Sequence, residues 1–77
     1  MIRVRLSDPE YRATIAAFLR FANMIVTYPD AADSLYVDFA NFDLAEDVQL
    51  RIVTCMLDAW QREHRGAVLG GAEIAVH

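Results

Sequence analysis

Residues able to act as nucleophile or base are few in this chain, and they are scattered. Cys55 is the one cysteine, His64 and His77 the two histidines, and Ser7 and Ser34 the only serines. Their positions show none of the close spacings a zinc site needs. Ser7 falls at a predicted helix start and Ser34 in a predicted turn, so no nucleophile elbow or triad can be assembled from them. Cys55 lies inside the apolar stripe of a predicted helix, where a thiol is expected to be buried and inert. His64 sits near a predicted helix C-terminus, which favours a cation, and His77 is the last residue, where fraying is common. All seven basic residues are arginine. Without lysine there is neither Schiff-base chemistry nor the lysine of a phosphate loop. Gly70-Gly71 lacks the pattern of a phosphate-cradling loop and reads as a turn. The expectation is no catalytic residue, no cofactor and no metal. An enzymatic reading is left with Tyr11, Tyr28 or His64 as proton carrier.

The elements that hold these residues follow from periodicity. Ile2, Val4 and Leu6 alternate with Arg3 and Arg5, as in a strand buried on one face. Ser7 and Glu10 have the spacing of a capping box, with Pro9 tolerated in the first turn, so a helix is expected over about 9–22. Tyr11, Ile15, Phe18, Leu19 and Ala22 form its apolar face, with Arg12, Ala16 and Arg20 on the other side. Asn23 and the β-branched run Ile25-Val26-Thr27 favour a break. Strands at Met24 to Tyr28 and Leu35 to Phe39 then flank a turn over 29–34, burying Leu35, Val37 and Phe39.

Asp43 with Glu46 is a second capping signal, and Glu46 and Asp47 place negative charge at the positive end of the helix dipole. This helix is expected to run over about 44–65, ending on Arg62, His64 and Arg65 before Gly66. Its apolar stripe is Val48, Ile52, Cys55, Met56 and Ala59, extended sideways by Leu50, Val53, Leu57 and Trp60. Asp47/Arg51 and Asp58/Arg62 form favourable pairs on the remaining face. Glu73 to His77 alternates again as a last strand that buries Ile74 and Val76.

The order β-α-β-β-α-β predicts one α+β domain over 1–77, a ferredoxin-like two-layer sandwich. Two helices would cover one face of a four-stranded antiparallel sheet with strands one and three at its centre. Arg3, Arg5, Tyr36, Asp38, Glu73, Ala75 and His77 would face outward on the other side. The arginines would pair across strands with Asp38 or Glu73. This rhythm of elements resembles ACT-like regulatory domains, a resemblance that implies a small-molecule ligand held where two subunits meet.

Composition narrows the function classes. With 56% hydrophobic and 23% charged residues, the 77-residue chain is expected to fold. A core of this size supplies only about 3–5 kcal/mol without a staple or a second subunit. A net charge of −4 argues against nucleic acid, which needs clustered cations. RNA-stacking sheets usually engage two or three bases, and here only Tyr36 is predicted to face out. No apolar run is long enough for a membrane span, and the alternating start is unlike a signal peptide, so a cytoplasmic location is expected. The apolar arc of the second helix exceeds what one sheet face requires. The expectation is therefore a non-enzymatic protein-binding module, either a homodimer or an accessory or inhibitory subunit of a larger assembly. Its candidate interface is Arg3, Arg5, Tyr36, Asp38, Leu50, Leu57 and Trp60.

Overall fold

The alternation at the start of the chain becomes strand β1, Ile2–Leu6, with Ile2, Val4 and Leu6 buried and Arg3 and Arg5 on the opposite face. This is the period-two rule of a half-covered strand. The computed structural model describes residues 1–39, 43–64 and 69–74. A single 3₁₀ turn over Pro9–Tyr11 leads into helix α1, Arg12–Phe21. Strands β2, Met24–Thr27, and β3, Ser34–Phe39, form a hairpin. Helix α2, Glu46–Glu63, and strand β4, Leu69–Ile74, complete the order.

The four strands form one antiparallel sheet in the order β2-β3-β1-β4. β1 and β3 are central, as expected, and β2 and β4 are edges. One apolar cluster joins Ile2, Val4, Leu6, Met24, Val26, Leu35 and Val37 of the sheet to Ile15, Ala16 and Leu19 of α1 and Val53, Leu57 and Trp60 of α2. Both helices therefore bury their apolar sides against the same sheet face. The chain is α+β.

The break after α1 falls where the sequence placed it. Asn23 adopts a left-handed conformation, φ 67°, and its amide donates to Arg20 O at 3.0 Å. Asparagine tolerates that conformation better than most residues and so ends helices. The next residues are then free to extend.

Several local readings are corrected. The N-terminal cap is Asp8 rather than Ser7, its Oδ1 accepting from Glu10 N at 3.0 Å. Pro9 decides this, because the residue before a proline is driven to extended φ/ψ, which is cap geometry. Ala16, assigned to the outer side of α1, is fully buried, and Ala22 is exposed. On α2 the residue at the cap is Ala45, not Asp43, and no side chain caps it. Glu46 and Asp47 do lie in the first turn.

The buried face of α2 is Gln49, Val53, Leu57 and Trp60, while Cys55 and Ala59 are exposed. The helix turns its largest apolar side chains inward because buried area sets the gain, and alanine and cysteine contribute little of it. Gln49 is accommodated by donating Nε2 to Leu44 O at 2.9 Å.

Gly70 and Gly71 are strand residues, not a turn. A Cβ at Gly70 would lie 2.9 Å from Arg5 O, and Gly71, at φ 109°, accompanies the register shift between Arg5 and Leu6. Glycine is what a bulge with such close backbone approach requires. Ile74, expected to be buried, is 39% exposed, since β4 is an edge and its outer side has no strand among the described residues. Phe39 is only half-buried, at the end of β3. The expected ends at Arg65 and Gly66, and the strand positions Ala75, Val76 and His77, lie outside the described residues.

Candidate functional site

The face of the sheet away from the helices is built by the strand positions that alternate with the core. Register aligns Thr27, Tyr36, Arg3 and Glu73 in one row across all four strands. A parallel row sets Ile25 against Asp38, and another sets Ser34 against Arg5 and Gly71. Arg3 and Tyr36 at the centre are half-buried, and Arg5, Asp38 and Glu73 are exposed. Four of the seven candidate interface residues, Arg3, Arg5, Tyr36 and Asp38, are thus brought onto one surface.

The charges on this face are unevenly matched. Arg5 Nε donates to Glu73 Oε1 at 3.1 Å, the cross-strand pairing expected for one arginine. Exposed pairs of this kind are worth about 0–1 kcal/mol. Arg3 lies directly opposite Glu73, yet its Nε is buried without an acceptor. Asp38 accepts only from the backbone, Phe39 N at 3.1 Å, and among the described residues no cation meets it. An unmatched donor and an unmatched carboxylate therefore share the face.

The other three candidates lie elsewhere. Leu57 and Trp60 are 4% and 2% exposed and belong to the core, and Leu50 is half-buried against it. The surplus arc of α2 is thus absorbed within the chain at those two positions. Trp60 also organises the C-terminal end of α2. The Tyr11 ring meets it edge-on at 5.5 Å, and the His64 ring stacks on it at 4.1 Å. His64 Nδ1 is 2.8 Å from Trp60 O, and because a carbonyl only accepts, Nδ1 carries the proton. Tyr28, the third proposed proton carrier, stands apart beneath Arg12 and Arg20 of α1.

Among the described residues, depressions of about 120, 180 and 270 Å³ lie along β4 and α2, and none of these is lined by Tyr11, Tyr28 or His64. Among the described residues no group of three His, Cys, Asp or Glu could hold a metal ion, and no helix is long and apolar enough to cross a membrane.

Two features escaped the sequence reading. Ile25 adds an exposed apolar side chain beside Asp38, and its alternation with Met24 and Val26 was the signal for it. Phe21, the last residue of α1, is 93% exposed. No protein-family model, curated protein or solved structure matches the chain.

Proposed function

We propose that this protein is a non-enzymatic protein-binding module of ferredoxin-like design that meets its partner through the open face of its sheet, the first such partner being a second copy. The observation that carries this reading is the unmatched pair on that face, where among the described residues Arg3 has no carboxylate in an ion pair and Asp38 meets no cation. In a twofold dimer each residue of one copy meets the complementary residue of the other, so one face bearing both charges satisfies both. Tyr36 and Ile25 supply apolar and aromatic area between them, the composition favoured at interface centres.

Size sets the expected strength. Four strands of about five residues cover roughly 19 by 17 Å, on the order of 300 Å² per copy, well below the roughly 800 Å² per partner of a standard specific interface. Association is therefore weak and concentration-dependent, which leaves the face open to exchange its own copy for a larger assembly. A small-molecule ligand has separate support in Arg12 and Arg20 beside Tyr28, which lie off this face and not where two copies would meet as the ACT-like resemblance implies.

Sedimentation velocity over a concentration series tests the proposal. The wild type is expected to dimerise in the micromolar range, Arg3→Glu and Asp38→Arg each to be monomeric, and the double exchange to dimerise again. Rescue by exchange is specific to a contact between the two residues. A wild-type monomer at several hundred micromolar, on the order of the weakest specific contacts, would sink the dimer.

A further inference from the structure

Arg12 and Arg20 are eight residues apart on α1, which along a helix separates their Cα atoms by about 12 Å. Their side chains nevertheless converge. The guanidinium carbon of Arg12 lies 4.3 Å from the centre of the Tyr28 ring, and that of Arg20 lies 5.4 Å from it. The two cations can be no farther apart than those distances together.

Each guanidinium is held by a backbone carbonyl. Arg12 Nη2 donates to Pro29 O at 3.0 Å, and Arg20 Nη2 donates to Val26 O at 2.8 Å. A carbonyl orients a guanidinium without cancelling its charge. Among the described residues neither arginine is paired with a carboxylate, and Arg12 Nε is buried without an acceptor. Acidic residues outnumber arginines by eleven to seven in this chain. Two cations that share one aromatic ring, neither paired with a carboxylate among the described residues, stand against that balance.

We propose that Arg12, Tyr28 and Arg20 form a binding site for a phosphate dianion, either free phosphate or a small phosphomonoester. A guanidinium has five donors in a planar fork suited to phosphate oxygens, and the bonds to Pro29 and Val26 leave most of them unused. Charge selects the ligand, because two uncompensated cations match a dianion, whereas a carboxylate would neutralise only one. Tyr28 is 48% exposed, so the cluster opens to solvent, and its hydroxyl adds a donor. The site shares no residue with the open-face interface, so either can fail without the other.

The test is titration of the ¹⁵N-labelled protein with sodium phosphate, then with phosphoserine, then with acetate, at constant ionic strength. Phosphate or phosphoserine is expected to give saturable shifts confined to the surroundings of Arg12, Arg20 and Tyr28. Affinity should fall between about pH 8 and about pH 5, as the ligand loses its second charge, through a pKa of about 6 for the phosphomonoester. Tighter binding of phosphoserine assigns the site to phosphomonoesters, and tighter binding of inorganic phosphate assigns it to the free ion.

Arg12→Gln and Arg20→Gln should each weaken binding about tenfold, with Arg12→Lys intermediate because it keeps charge but not the fork. Both glutamine variants lose a bond to the backbone, so their spectra and melting temperatures are compared first. Tyr28→Phe keeps both arginines and tests the hydroxyl in a fold left intact, with a smaller loss expected. Phosphate shifts indistinguishable from those of acetate, or unchanged in folded Arg12→Gln, would overturn the proposal.

Discussion

The two faces of the sheet are made by the same strands one residue out of phase, and they are governed by different physics. On the covered face Ile2, Val4, Leu35 and Val37 are fully buried and make no polar demand. On the open face their neighbours Arg3, Tyr36 and Asp38 sit in partial contact with water, and single atoms decide whether a charge is met. What matters on the first face is apolar area and volume. What matters on the second is pairing, which a partner can supply. The covered face should therefore determine stability and the open face association.

The largest expected effect is on the covered side. Trp60→Ala removes a buried indole that also anchors Tyr11 and His64, and should cost about 3–5 kcal/mol. For so small a domain that approaches the whole stability. Urea unfolding followed by circular dichroism is the measurement, and a loss below about 1 kcal/mol would break the comparison by removing Trp60 from the core.

The next effect is local to the 3₁₀ turn that leads into α1. Asp8→Ala removes the acceptor for Glu10 N and should cost about 0.5–2 kcal/mol, whereas Ser7→Ala should be nearly neutral. Equal losses at the two positions would restore the capping box that the sequence suggests, and a thermal melt of each variant separates the outcomes.

These cases mark where the sequence was legible. Alternation in β1 and β3 located both faces of the sheet, because a period of two leaves no freedom once one face is buried. The break at Asn23 was equally readable, being a property of one residue's backbone. The rotation of α2 was not. Val48, Ile52, Cys55, Met56 and Ala59 are apolar by type, but which stripe turns inward depends on the volume offered by the sheet, and Val53, Leu57 and Trp60 fill it. The Asp8 cap was missed because Pro9 acts on its neighbour's conformation and not through spacing. The convergence of Arg12 and Arg20 on Tyr28 needed the hairpin to return beside α1, a tertiary contact that no local pattern carries.

The smallest expected effect sharpens the contrast from the open side. Arg5 and Glu73 are the one ion pair among the described residues, and both side chains are more than two-fifths exposed. Their bond runs diagonally, since Arg5 is registered with Gly71 and Glu73 with Arg3, and the absence of a side chain at Gly71 leaves the path clear. Water screens such a pair, and holding two long side chains in one geometry costs entropy. A double-mutant cycle of Arg5→Ala and Glu73→Ala should return a coupling of about 0.2–1 kcal/mol at low salt. In about 1 M salt, where the screening length is about 3 Å, most of it should vanish. Arg3, directly opposite Glu73, can take up the vacated carboxylate when Arg5 is removed, which pushes the measured coupling toward the lower end. A coupling above about 1.5 kcal/mol that persists in high salt would mean that this pair behaves as a buried one. The open face would then contribute to holding the fold together, and the division between a stabilising face and an associating face would no longer stand.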